Sequence, residues 1–183
     1  MKVIATAIEG VFILEPKVFK DPRGYFFEAY SKKIIDEAIG DINFVQDNES
    51  CSSKGVIRGL HFQKPPFAQA KLVRCVRGKV MDVAVDLRKN SPTYGQHVSV
   101  ILDDENHREF FIPRGFAHGF EVLSDSAVFQ YKCDNYYHPE SEGGIDLFDP
   151  DLSIEWHTAK EIALLSTKDR QNIAFADFIT PFK

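Results

Sequence analysis

Ionisable side chains set among apolar neighbours are the first places to look for chemistry. In GFAHGFEV, residues Phe116, His118, Phe120 and Val122 share one face of a strand. In AVFQYKC, Ala127, Phe129, Tyr131 and Cys133 share another, and in KVMDVAVDL, Asp82 stands beside Val80 and Ala84. An ionisable residue in such a place, taken singly, is more often a hydrogen-bonded core residue than a catalyst. Taken together they put His, Tyr and Asp inside one barrel, which is where small barrels hold ligands. The segment KGVIRGLHFQKPPFAQAKLVR adds Arg58, His61 and Gln63 on one strand, a Pro65-Pro66 turn, and Lys71 on the return. Strict alternation would place Arg58 and His61 on opposite faces. Gly59 lies between them, and a strand glycine often marks a bulge that turns both inward. The alternative is that only one of them lines the cavity.

The elements that must position these groups are mostly strands. The apolar pattern runs at period two, and turn signals recur at KNSPTYG, DDEN, PRG, LSDS and HPESEGG. Many short strands at that spacing predict an all-β sandwich, jelly roll or barrel in one domain over 1–183. Two segments are predicted to be short helices. SKKIIDEAIG opens with Ser31 as N-cap and closes at Gly40. Thr158 precedes AKEIALL with Glu161 three residues on, a capping-box pattern.

Composition narrows the function classes. The chain has 183 residues, 44% hydrophobic and 13% aromatic, which suits one folded core rather than a disordered or fibrous chain. Its formal charge is -5, from 27 acidic and 22 basic residues. The charge is uneven: Lys54, Arg58, Lys64, Lys71, Arg74, Arg77 and Lys79 fall in an acid-free stretch, 50–81, whereas 133–159 holds acids and no Lys or Arg. An acidic protein with one basic stretch, its cations interleaved with apolar residues, suggests a small anion as ligand rather than nucleic acid. Three cysteines at wide spacing suggest reduced thiols in a cytoplasm rather than disulfides or zinc. No apolar run approaches the ~20 residues of a membrane span, and MKVIATAIEG is too short and too quickly acidic for a signal peptide.

PRGFAH matches the second half of a cupin pattern, Pro-x-Gly-x-x-His. A metal cupin would add a His-x-His pair and a nearby carboxylate, but the matching stretch reads His61-Phe62-Gln63, with no acid before Asp82. Three metal ligands are hard to assemble from this set. No phosphate loop or dinucleotide fingerprint appears. Chemistry here is expected to run on side chains, without metal or cofactor.

The blocks DPRGYFFE (21–28), VQDNES (45–50), KGVIRGLHFQKPPFAQAKLV (54–73), GKVMDVAVDLRKNSPTYG (78–95), IPRGFAHGFEVLSD (112–125), YKCDNYYHPESEGGI (131–145), FDPDLSIEW (148–156) and LSTKD (165–169) carry a resemblance over most of the chain. Together they resemble the dTDP-4-dehydrorhamnose 3,5-epimerase family, metal-free cupins of deoxysugar biosynthesis. The resemblance implies a jelly-roll homodimer acting on a dTDP-linked 4-keto-6-deoxyglucose. It implies a histidine base matching His61, a tyrosine acid matching Tyr131, and a carboxylate partner of the base matching Asp169. It also implies anion and sugar contacts matching Arg23, Glu28, Gln46, Asn48, Arg58, Lys71, His118, Glu142 and Lys168, and a ring matching Tyr137 that stacks on thymine.

The residue types suit that chemistry. Protons at C3 and C5 both lie beside the C4 ketone, so removing either yields an enolate. An imidazole of ordinary pKa, near ~6.5, is a competent base at neutral pH. Lys71 is the candidate to stabilise the oxyanion, and Tyr131 can reprotonate the opposite face. Arginines in the basic stretch suit a diphosphate. The rival readings are an enzyme inverting C3 or C5 alone, a non-catalytic sugar-binding cupin, and a metal-dependent cupin dioxygenase.

Overall fold

In the computed structural model, which describes residues 1–183, the chain forms β1 (Lys2–Ala5), β2 (Phe12–Glu15), β3 (Phe19–Asp21), β4 (Gly24–Phe26), α1 (Lys32–Ala38), β5 (Gln46–Ser53), β6 (Ile57–Gln63), β7 (Lys71–Arg77), β8 (Lys79–Asp86), β9 (His97–Asp103), β10 (Glu109–Ile112), β11 (Phe116–Val122), β12 (Ser126–Cys133) and β13 (Glu142–Gly144). Two antiparallel sheets face each other, ordered β1-β2-β10-β7-β12-β5 and β13-β6-β11-β8-β9. This is the jelly-roll sandwich that the period-two pattern predicts. The hairpin β3–β4 forms a separate two-stranded sheet.

Alternation explains the layers. The inner faces contribute Val73, Cys75 and Phe129 from one sheet, and Val80, Ala84 and Phe120 from the other, to a single buried cluster. The opposite side of β8 is buried as well. Met81, Val83 and Val85 pack with Ile57, Leu147, Leu152 and Phe182, so the chain beyond β13 wraps the outer face of the second sheet. That double burial accounts for the nearly continuous apolar run in KVMDVAVDL. On the outer side of the first sheet, Ile35 of α1 seals Leu14, Leu72 and Phe111.

The bulge expected at Gly59 is present in β6. His61 pairs with His118 and Arg58 with Phe120, so three steps on β6 match two on β11. Directly opposed residues share a face, and both partners belong to the inner side. The extra residue therefore turns Arg58 and His61 to the same side. Gly59 takes φ 142°, and a Cβ there would stand 2.6 Å from Gly119 Cα. No other residue fits that approach without moving the strands.

The two helical expectations divide. Helix α1 forms, with Ser31 at its N-cap position, but the Ser31 hydroxyl makes no capping bond. The predicted helix after Thr158 does not form, and this expectation is corrected. Its start is held instead by the buried Glu121 carboxylate, which accepts from the backbone N–H of His157 (2.8 Å) and of Thr158 (2.6 Å). Farther on, Leu164 N–H bonds Gly55 O and bridges in parallel to Val56. Tertiary bonds to the barrel outweigh a local helix signal of a few tenths to ~1 kcal/mol.

One buried acid lies outside this logic. Glu109 of β10 is 3% exposed and its Oε2 has no partner. Burial pushes its carboxyl up to about 8 from 4.5, against the pull of Arg74 and Lys132. The folded state thus holds a proton that the unfolded chain releases, and stability falls as pH rises from about 4.5 to about 8. Glu109→Gln is expected to remove this decline. It should be more stable than the parent by a few kcal/mol near pH 9 and nearly equal near pH 4. Thermal denaturation of both proteins across pH tests this, and parallel profiles would refute it.

Candidate active site

A cleft of about 320 Å³ opens at one end of the sandwich, lined by Gln46, Asn48, His61, Gln63, Gln69, Lys71, Tyr131, Cys133, Tyr137 and Glu142 among others. The bulged β6 delivers His61 from one sheet. Neighbouring strands β7 and β12 deliver Lys71 and Tyr131 from the other, in the register Lys71↔Cys133 and Val73↔Tyr131. His61 and Tyr131 therefore reach the cleft from opposite walls.

The imidazole is held from behind. His61 Nε2 lies 2.5 Å from Asp169 Oδ1, on a side chain only 3% exposed. Asp169 sits in a 3₁₀ turn, Asp169–Gln171, and its N–H donates to Ser166 Oγ at 3.1 Å. Burial would raise the Asp169 carboxyl, but the bonds from His61 and Ser166 prevail and hold it below the usual carboxylate range. An ionised Asp169 favours the tautomer with its proton on Nε2, which leaves Nδ1 as the basic nitrogen.

The opposite wall is drier. Burial pushes the Tyr131 phenol up, so it stays protonated. Lys71 is pushed down by burial, partly offset by Cys133, Asp82 and Glu142, and its Nζ lies 5.8 Å from the Tyr131 ring centre. When protonated, a lysine in this place is well suited to meet a developing oxyanion. Below it, His118 Nε2 lies 3.0 Å from both oxygens of Asp82. Burial drives Asp82 up and His118 down, each against the attraction of its partner. His118 is buried at 7% and supports the cleft from below rather than lining it.

The rim is polar. The Tyr137 hydroxyl donates to Glu142 Oε2 at 2.7 Å, and Lys168 pairs with the same carboxylate. Burial raises Glu142, but these two partners outweigh it and keep the carboxyl low. Gln46 Oε1 accepts from Tyr137 N–H at 3.0 Å, while Gln46 Nε2 donates to Asn48 Oδ1 at 3.0 Å. Arg58 stands exposed at the edge, its Nε and Nη2 donating to Ser52 Oγ at 3.1 and 3.0 Å.

Two residues that the resemblance implies stand apart. Arg23 lies at the tip of the β3–β4 hairpin, its side chain 89% exposed and bonded to Asp21. Glu28 follows that hairpin, also exposed, and neither lines the cleft. The sequence places Gln63 on the strand with Arg58 and His61 without giving it a role, and the structure buries it to 5% exposure. Its Nε2 donates to Phe67 O and Tyr136 O and its Oε1 accepts from His138 N–H, which fastens the loop bearing Tyr137 to β6. A glutamine at the end of an apolar strand was the available signal. Sequence reasoning missed Ser52: in the polar run of β5 nothing singles it out.

Comparison with known proteins agrees with this geometry. The family described as dTDP-4-dehydrorhamnose 3,5-epimerase matches residues 5–177. A relative from Salmonella typhimurium, a dTDP-4-dehydrorhamnose 3,5-epimerase, is 56% identical over 92% of this chain and 92% of its own. One of the same description from Shigella flexneri is 54% identical over 97% of each chain. A dTDP-6-deoxy-D-glucose-3,5-epimerase from Legionella pneumophila, solved in complex with dTDP-4-keto-L-rhamnose, superposes with TM-score 0.95 at 48% identity, covering 100% of this chain and 98% of that one. With a family match across nearly its whole length and a jelly roll that carries the His–Asp pair, the tyrosine and the lysine in one cleft, the chain belongs to the dTDP-4-dehydrorhamnose 3,5-epimerase family.

Proposed function

We propose that this chain epimerises a dTDP-linked 4-keto-6-deoxyhexose at C3 and C5, with His61 as base, Tyr131 as acid and Lys71 on the ketone oxygen. The observation that carries the assignment of roles is the opposition of His61 and Tyr131 across one cleft, with Lys71 beside Tyr131. His61, backed by Asp169, takes the proton next to the ketone. The electron pair moves onto the C4 oxygen, where Lys71 meets the charge. The Tyr131 phenol then returns a proton from the far wall, and the carbon is inverted. Ring rotation or rebinding presents the second carbon to the same pair. Incubation with dTDP-4-keto-6-deoxyglucose in deuterated water tests the reading. Label at both C3 and C5 is expected, and label at one carbon alone would reassign the chain to a single-site epimerase.

We place Tyr137 under the thymine ring, with Gln46, Asn48, Glu142 and Lys168 around the sugar nucleotide and Arg58 on the diphosphate. Apart from Asp21 on the same hairpin, the arginine at the tip meets no anion-binding groups of its own protomer's cleft. The three-residue strands of β3–β4 pair only with each other, and Phe19, Tyr25 and Phe26 are 53%, 58% and 71% exposed. A projecting apolar hairpin that ends in an arginine suits insertion into the cleft of a second copy, so we assign a homodimer in which Arg23 and Glu28 serve the neighbouring site. Arg23→Ala should weaken dTDP itself, a ligand without the sugar, by roughly ten- to a hundredfold. Unchanged dTDP affinity in titration calorimetry would return Arg23 to the role of a surface charge. Cys51, Cys75 and Cys133 are all free thiols, which fits the cytoplasm as compartment, and no helix is long and apolar enough to cross a membrane.

A further inference from the structure

The hairpin β3–β4 hydrogen-bonds to neither main sheet, and every residue in its two strands is exposed. An isolated two-stranded ribbon is marginal in water, so something else must fix its direction. What touches it is a stack of rings. His107 lies 4.6 Å from the Tyr25 ring and 4.7 Å from the Phe27 ring, the latter at 23° and so face to face. Tyr25 and Phe27 also stack on each other at 5.9 Å, and the Arg74 guanidinium covers Phe27 at 5.7 Å.

His107 is itself held firmly. It ends the turn between β9 and β10, only 6% exposed, with its N–H bonded to Asp103 O at 3.1 Å. The Asp103 carboxylate accepts from the N–H groups of Glu105 and Asn106, which locks the turn. The residue takes φ 51°, a left-handed conformation that histidine and asparagine tolerate better than most side chains. Burial keeps the imidazole below its ordinary range, with Lys20 and Arg74 pushing the same way against Asp104 and Asp103. At neutral pH the ring is therefore an uncharged flat surface beside two cations.

We infer that His107 is a positioning residue: its ring clamps Tyr25 and Phe27 and thereby sets the direction in which the β3–β4 hairpin presents Arg23 to the neighbouring site. The inference rests on the assignment of Arg23 to a second copy's diphosphate. His107 lies on the β9–β10 turn and is not among the residues lining its own cleft. Its loss should therefore act on binding and leave the chemical step alone.

The experiment separates ring from backbone. His107→Asn keeps a residue suited to the left-handed φ but removes the ring, while His107→Phe keeps a ring. His107→Asn is expected to raise KM for the keto sugar nucleotide about tenfold and weaken dTDP to a similar degree, with kcat within about twofold. Amide exchange across residues 19–26 should quicken in the same variant while that of β6 and β12 does not change. His107→Phe should restore KM and slow exchange in the hairpin. A His107→Asn enzyme with parental KM and hairpin exchange overturns the clamp even if Arg23→Ala weakens dTDP. If Arg23→Ala leaves dTDP affinity unchanged, the assignment of Arg23 fails and the clamp's role falls with it. Equal loss of kcat and KM in His107→Asn and His107→Phe alike would mark a merely structural residue and also refute the inference.

Discussion

Replacing His61 with Asn stops deuterium entering the substrate at both C3 and C5, with the rate reduced by about 10² to 10⁴, the range for a positioned general base. The physical reason is the wiring of the ring. Asp169 accepts the proton on Nε2 at 2.5 Å and leaves Nδ1 as the nitrogen with a free lone pair. As the proton arrives, the imidazolium is met by a carboxylate already ionised, because its bonds to His61 and Ser166 hold it low despite burial. The asparagine amide is no base, although it retains much of the shape. Binding of dTDP should stay within about tenfold, or ~1.4 kcal/mol, since the nucleotide groups are elsewhere on the rim. Both exchange positions should fail together under the proposal that one base serves both carbons. Exchange at parental rate, at either carbon, would remove His61 from the role.

Changing Tyr131 to Phe is expected to separate exchange from inversion. The phenol lies half in the core, packed near Phe129, and burial keeps it protonated well past neutral pH. Loss of the hydroxyl leaves the ring and its packing, so stability should change by no more than about 1–3 kcal/mol. His61 can still remove a proton and give it back on the same face, so wash-in persists. Delivery from the opposite wall needs the missing O–H. Net inversion should fall by about 10² to 10⁴. Product stereochemistry and deuterium content from the same sample decide the matter. Full inversion in the Tyr131→Phe enzyme would mean that another group or water donates, and that Tyr131 is a core residue with a polar end.

Much of this site is legible in local sequence, because strand alternation and glycine sterics act over a few residues. The period-two runs mark Tyr131 and His118 as inward residues of an all-β fold. Gly59 between Arg58 and His61 signals the bulge, since a Cβ there would collide with the Gly119 backbone. The same locality explains the error at Thr158. A capping box is a contest between a segment and water, and here Glu121, 36 residues away, wins the backbone donors first.

By itself, then, the sequence determines the strands, the bulge and the chemical types available to the cleft, and through motif resemblance the family. Only the tertiary structure decides which groups meet. It joins His61 to Asp169 across 108 positions and seats Lys71 beside Tyr131 in the cleft. It leaves Arg23 outside its own site and sets His107 against the rings of Tyr25 and Phe27 at the hairpin's base. The reason is that a side chain's partners, solvation and protonation depend on distances through space. Strand pairing brings together residues that no periodicity in the chain relates.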